Sequence, residues 1–247
     1  MKKTILISMI LILILTAACT EKEDQTTFFA AASLTEALDE YNKSIDNKLN
    51  LNFDSSTRLR LQIENGAGAD IYLSANKKNV DLLREKKLLI ESKKILENKM
   101  VIITPIDSKI ETVEDLSKEI KLVIAEEEVP CGKYAVEVLE NFNEKYGEDF
   151  SNKVMKNVVS KELNVKHVVS KIAMGEADAG IVYITDINQT NKEKLNIIEI
   201  EDKFNVNASY WICRLNNDEG TKKSYDDFLK DERIKNIFSD YGFKIIY

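Results

Sequence analysis

The stretch FFAAASLTEAL, residues 28–38, joins a short apolar run to the start of an amphipathic helix. The apolar run before Ser33 has the length and composition of a buried strand. Ser33 and Glu36 match the serine-x-x-glutamate capping box, in which each side chain bonds a free backbone N–H group at a helix start. The stretch therefore predicts a strand, a tight turn and a helix that runs to about Asn42.

The same order of elements recurs along the chain. LNLNF, residues 49–53, alternates as strands do and leads into a helix that Gly66 ends. Two later helices begin near Cys131 and Val165, and the first of them is predicted to run about four turns to Gly147. Alternating strand and helix patterns are typical of an α/β fold.

The N-terminus has the pattern of an export signal. Residues 1–18 contain Lys2, Lys3 and a short apolar segment, which predicts a cleaved signal peptide rather than a membrane span. The sequence around the cleavage point, LTAAC, resembles the bacterial lipoprotein signal, so we expect Cys19 to carry lipid. Residues 19–27 would then tether the protein to the outer face of the cytoplasmic membrane.

The charge balance excludes several partners. The chain has 35 basic and 42 acidic residues, and removing the signal peptide leaves 33 and 42, a net charge of −9. Such a charge argues against binding nucleic acid or anionic membrane surfaces. Cys131 and Cys213 are the cysteines that remain beyond the lipidation site, and the sequence leaves open whether they pair.

Catalytic and metal-binding motifs are not evident. The chain has one histidine, His167, and neither a CxxC nor an HExxH spacing. Several strand-to-helix turns instead carry serine or glycine where a helix begins. Free N–H groups at such helix starts hold anions without any lysine or arginine, so a cleft where several of them meet would bind a small anion.

Four segments together carry a family resemblance. Residues 28–38, FDSSTRLRLQIENGAGADIYLSA, VPCGKYAVEVLE and GEADAGIVYITD, in this order, resemble the molybdate-binding proteins that serve ABC importers. The resemblance implies a two-lobe α/β fold of the periplasmic-binding-protein (Venus flytrap) type with the ligand cleft between the lobes. It implies a first lobe of residues 28–103 and 213–247 and a second lobe of residues 104–212.

The resemblance also implies a set of ligand-binding residues, all neutral hydrogen-bond donors: Ser33, Ser56, Cys131, Val165 and Tyr183. Cys131 stands where the family usually has alanine and would contribute its backbone N–H. The expected ligand is molybdate or tungstate, with no cofactor. The expected partner is the ABC permease of an importer, and the receptor itself is expected to be a non-catalytic monomer.

Two alternatives remain open from the residues alone. A similar two-lobe protein could carry sulfate or phosphate, and Asp54 is the one residue near the predicted site that could accept a phosphate proton. The other is a secreted hydrolase in which Cys131 is the nucleophile and His167 the base, since a helix N-terminus lowers a thiol pKa. Asp54 would weaken dianion binding unless it points away or pairs with Arg58 or Arg60.

Overall fold

The computed structural model describes residues 25–247. In that part of the chain the strands are β1 (Thr27–Ala31), β2 (Asn50–Asp54), β3 (Ile71–Ser74), β4 (Glu91–Pro105), β5 (Leu122–Ala125), β6 (Val158–Glu162), β7 (Ala179–Tyr183), β8 (Leu195–Glu199), β9 (Asn207–Arg214) and β10 (Lys244–Ile245). The α-helices are α1 (Thr35–Ser44), α2 (Ser56–Glu64), α3 (Lys77–Glu85), α4 (Pro130–Asn141), α5 (Asn143–Tyr146), α6 (Phe150–Lys156), α7 (Val165–Ala173), α8 (Glu219–Lys230) and α9 (Glu232–Asp240). Short 3-10 turns span Ala32–Leu34, Glu114–Ser117, Ile184–Asp186 and Lys192–Lys194.

The strands divide between two lobes. The order is β2-β1-β3-β9-β4-β7-β5-β6, with β8 and β10 paired to β4. Three parallel strands, β2, β1 and β3, lie at one end, and three more, β7, β5 and β6, lie at the other. Parallel strands need crossover connections, and the helices supply them. We call the group around β1 the first lobe and the group around β5 the second.

β4 connects the lobes. Its residues 91–99 pair with β9 in the first lobe, whereas residues 100–105 pair with β7 and β8 in the second. β9 runs antiparallel between β3 and β4. The predicted α/β fold with two lobes is confirmed in this arrangement. The predicted residue boundaries of the two lobes stay a prediction.

Apolar strands form the centre of each lobe. All four residues of β3, all four of β5 and all five of β7 are buried. Strands covered on both faces read as continuous apolar runs rather than alternating ones, which is the pattern of AGIVY in β7. The helices cover these faces, and none in the described part of the chain is long and apolar enough to cross a membrane.

Two sequence expectations about helices need correction. Ser33 does not cap a helix: it lies in the 3-10 turn, and α1 begins at Thr35 with no side-chain cap. The predicted four-turn helix is interrupted at Phe142 and divides into α4 and α5 before it ends at Gly147. The predicted signal peptide and Cys19 lie outside the described residues.

Candidate functional site

The carboxyl ends of six strands surround one small cavity between the lobes. The wall segments lie at the end of a parallel strand or within a few residues beyond it: residues 31–33 at β1, 55–56 at β2, 75 at β3, 129–131 at β5, 164–165 at β6, and Tyr183 at the end of β7. Open α/β sheets bind ligands at this edge because loops and helix starts converge there. The structure therefore brings together all five residues predicted as ligand contacts.

The cavity is compact and uncharged. The space open to the centre of a water-sized sphere is about 10 Å³, near the minimum that holds one buried water. None of the twelve lining residues carries a charged side chain. The cavity is therefore small and walled by neutral groups.

Ser33 is oriented by a chain of hydrogen bonds. Its Oγ lies 2.8 Å from the hydroxyl of Tyr210 on β9. The amide nitrogen of Asn98, which can only donate, lies 3.4 Å from the same hydroxyl. Tyr210 accepts from Asn98 and can donate its own proton to Ser33, an arrangement that would leave the Ser33 proton for the cavity.

Ser56 is held in a similar way at the start of α2. Its Oγ accepts the N–H of Ala75 at 2.9 Å, so its hydroxyl proton is free to donate into the cavity. The buried hydroxyl of Tyr72 donates to the Ser56 carbonyl at 2.7 Å and fixes the turn. Ser56 therefore offers a donor whose position is set by two bonds to β3 and its following residue.

The second lobe contributes two helix starts. Cys131 is the second residue of α4 and Val165 the first residue of α7. Backbone N–H groups in the first turn of a helix have no partner within the helix and lie at its positive end. Both residues are buried and line the cavity, so their N–H groups are available to an anion there.

Gly132 allows α4 to approach the end of β5. A Cβ atom on Gly132 would lie 2.1 Å from the Glu126 carbonyl oxygen and 2.3 Å from that of Ala125. Real Cβ atoms do not come so close to backbone oxygen. The absence of a side chain at this position therefore sets where the Cys131 N–H lies.

The Cys131 thiol is not placed for nucleophilic chemistry. Its Sγ donates to the Ile181 carbonyl oxygen at 3.6 Å, and burial raises the pKa of the thiol well above its usual value. His167 is exposed, and its backbone N–H is capped by the Asn164 side chain. The hydrolase alternative is therefore not favoured. Both Cys131 and Cys213 are free and buried.

Tyr183 presents a buried donor with no partner. Its side chain is 1% exposed, and its hydroxyl makes no hydrogen bond to any residue within 25–247. Burial raises the pKa of Tyr183 well above its usual value, so the hydroxyl keeps its proton. A buried unpaired hydroxyl is costly unless a ligand satisfies it.

The Asp54 carboxylate is engaged by neighbouring residues outside the cavity. Its Oδ1 accepts the Ser55 N–H at 2.7 Å, and its Oδ2 lies 3.6 Å from Arg58. Arg60 instead pairs with Glu64. Asp54 does not line the cavity, so it is not the proton acceptor that a phosphate site would need.

Seven lining residues were not among the five predicted contacts: Ala31, Ala32, Ser55, Ala75, Val129, Pro130 and Asn164. Ser55 and Asn164 are the residues that cap α2 and α7, with side chains that accept from Arg58 and His167. Their type and position, directly before a helix, are a capping signal that could have identified them. Among the described residues no cluster of three or more His, Cys, Asp or Glu side chains could hold a metal ion.

Comparison with known proteins gives consistent matches over nearly the whole chain. The family model described as bacterial extracellular solute-binding protein matches residues 27–244. The chain is 30% identical to the molybdate-binding protein ModA of Escherichia coli over 90% of each sequence, and 29% identical to ModA of Haemophilus influenzae over 89% of each. The periplasmic molybdate-binding protein of Azotobacter vinelandii has the same fold, with a TM-score of 0.78, 16% identity and coverage of 90% of this chain and all of that one.

Proposed function

The chain belongs to the bacterial extracellular solute-binding proteins, and on this premise we propose that it captures molybdate outside the cytoplasm and delivers it to an ABC importer. The observation that carries the choice of ligand class is the cavity, whose wall offers donors and no charged group. Its relatives named for molybdate binding support the choice of ion. The family consists of binding proteins, so the prediction that the chain is not an enzyme is confirmed.

A wall of donors selects a fully deprotonated anion. The hydroxyls of Ser33, Ser56 and Tyr183 and the N–H groups of Cys131 and Val165 would all point at oxygen atoms that only accept. A ligand that carries its own proton would favour a carboxylate acceptor, and the cavity wall has none. Molybdate and tungstate are fully deprotonated at neutral pH, whereas phosphate is partly protonated and is therefore disfavoured.

Size separates the remaining anions. Sulfate has the same charge as molybdate but shorter bonds, so it would reach fewer donors at once where these are spaced for the larger ion. Backbone N–H groups at fixed helix starts enforce this better than flexible side chains would. Molybdate and tungstate are nearly equal in size and shape, and we propose that the protein takes both.

We further propose how the receptor is placed and used. The lipoprotein-like signal supports anchoring through Cys19 to the outer face of the cytoplasmic membrane, in the periplasm where the cell has an outer membrane. Donors from both lobes complete the site, so binding would close the lobes by a hinge motion in β4, the strand that connects them. The closed monomer would then present the anion to a permease.

A thermal-shift panel of molybdate, tungstate, sulfate and phosphate tests this function. At a thousandfold excess over Kd a ligand stabilises the folded state by about 4 kcal/mol, which is roughly 10 °C for a protein of this size. Molybdate and tungstate should produce such a shift, and sulfate and phosphate at the same concentration should not. Stabilisation by sulfate or phosphate without molybdate would show that the ligand is wrong.

A further inference from the structure

Two charged side chains meet across the cleft beside the cavity. Glu36 lies on α1 in the first lobe and Lys166 on α7 in the second, and Lys166 Nζ is 2.6 Å from Glu36 Oε2. Asn188, also in the second lobe, donates to the other Glu36 oxygen at 3.3 Å. Glu36 is therefore held by two groups of the opposite lobe.

Lys166 is fixed within its own lobe by Asp186. The Asp186 side chain is fully buried, and its Oδ1 lies 3.2 Å from Lys166 Nζ. Its Oδ2 accepts the backbone N–H of Tyr183 at 3.2 Å. Lys166 also follows Val165 directly in sequence. The charged contact is therefore linked to two residues of the cavity wall, Tyr183 and Val165.

Both charges in the contact are shielded from water. The side chains of Lys166 and Glu36 are 24% and 33% exposed. Burial alone would lower the pKa of Lys166, but Asp186 and Glu36 together raise it above its usual value, so the ammonium stays charged. A partly buried ion pair contributes more than a fully exposed one, and the exposed third of Glu36 still leaves the pair open to screening by salt.

We propose that Glu36 and Lys166 are positioning residues that latch the lobes together over the bound anion, a proposal that rests on the proposed function. When the lobes separate, Lys166 keeps Asp186 because both belong to the second lobe. Glu36 gives up both of its partners. Opening therefore breaks the contacts of Glu36 and leaves the Lys166–Asp186 contact intact, and the latch slows release of the anion without touching it.

Glu36→Gln tests the latch because it removes the charge and keeps the shape. Stopped-flow measurement of molybdate binding should show a dissociation rate about tenfold faster than that of the wild type. The association rate should stay within about twofold. Added sodium chloride should speed release from the wild type and have less effect on the variant, a response that loss of packing would not produce.

Glu40→Gln is the matched control. Glu40 lies one turn further along α1, and its carboxylate accepts from Tyr241 in the same lobe at 3.0 Å. This variant should release molybdate at the wild-type rate. Equal rates for Glu36→Gln, Glu40→Gln and wild type would overturn the latch, as would a Glu36→Gln rate that keeps the wild-type salt dependence.

Failure of the latch and failure of the proposed function would give different results. If the wild type bound none of the four anions, the proposed function would be wrong, and the latch would be read from small-angle scattering of the protein alone. Glu36→Gln should then have a larger radius of gyration than Glu40→Gln and wild type at low salt. Equal radii for all three would overturn the latch.

Discussion

At the scale of single residues, a substitution of Tyr183 should change ligand affinity without lowering the stability of the ligand-free protein. Tyr183→Phe removes a buried hydroxyl that has no partner within residues 25–247, so the ligand-free protein should unfold at the same temperature or a slightly higher one. A hydrogen bond to a charged group is worth about 1.5–3 kcal/mol, so molybdate affinity should fall roughly ten- to a hundredfold. Calorimetric titration and scanning calorimetry of the same samples measure both effects.

Tyr41→Phe is the control for this change. The Tyr41 hydroxyl bonds Asp231 at 3.1 Å, away from the cavity, so its loss should lower stability by about 1 kcal/mol and leave affinity unchanged. An unchanged affinity in Tyr183→Phe would mean that the phenol does not contact the ligand.

The same scale shows where local patterns mislead. Ser33 and Glu36 match a capping box, yet Ser33 bonds Tyr210 and Glu36 bonds Lys166. Both partners lie more than a hundred residues away in sequence, and a capping pattern contains no information about them. The five contacts could be predicted as one set because the family resemblance supplied that long-range information. Hydrophobic periodicity does not contain it.

At the scale of elements, the start of α4 depends on Gly132. Gly132→Ala would force its Cβ against two carbonyl oxygens, so α4 must shift away from β5. We expect a loss of about 3 kcal/mol in the free energy of unfolding and a large loss of molybdate affinity, because the Cys131 N–H moves with the helix. Thermal unfolding and titration measure the two effects.

Gly220→Ala makes the same chemical change near the start of α8. Its Cβ would come no closer than 3.3 Å to the Asp218 side chain, and alanine favours the helix by about 1 kcal/mol. Stability should therefore change by less than about 1 kcal/mol, and affinity should not change. Similar losses at both positions would contradict a specific role for Gly132.

Glu97, on β4, should make a contribution to stability that is lost at low pH. Lys244 on β10 and Lys94 on β4 lower its pKa from 4.5 to about 2. A carboxylate with a lowered pKa adds stability above its unfolded value and loses it as pH falls through its folded value. Glu97→Gln should therefore cost about 1 kcal/mol at pH 7, a figure reduced for the exposure of both lysines.

The pH dependence of the unfolding free energy shows whether Glu97 acts through its charge. Urea unfolding from pH 7 to pH 2 should show the gap between Glu97→Gln and wild type narrowing below about pH 4.5. Glu193→Gln, on an exposed 3-10 turn, is the control and should follow wild type throughout. A gap of constant size would show that the lysines do not act through charge.

The extent of the elements was predicted unevenly. The helix end marked by Gly66 was placed well: Gly66 has a φ of 88°, a conformation other residues avoid. Seven of the first nine of the fifteen residues of β4 are polar and that part of the strand is partly exposed, so composition does not mark it as a strand. Only its buried end, MVIITP, reads as a strand from composition.

At the scale of the whole molecule, the lobes place neutral donors around the cavity of a protein that carries net negative charge. The formal charge is −7, so attraction by overall charge would not explain the proposed binding of a dianion. The specificity must come from the cavity, where four segments ending in helix starts meet. This convergence depends on both lobes, and no single segment of sequence specifies it.

Calorimetric titration of the protein with molybdate, in the presence of a thousandfold excess of sulfate and phosphate, tests the central claim most directly. The donor-lined cavity predicts one molybdate per chain, with an affinity that the competing anions leave unchanged within about twofold. Displacement of molybdate by sulfate or phosphate, or no heat on adding molybdate, would contradict it.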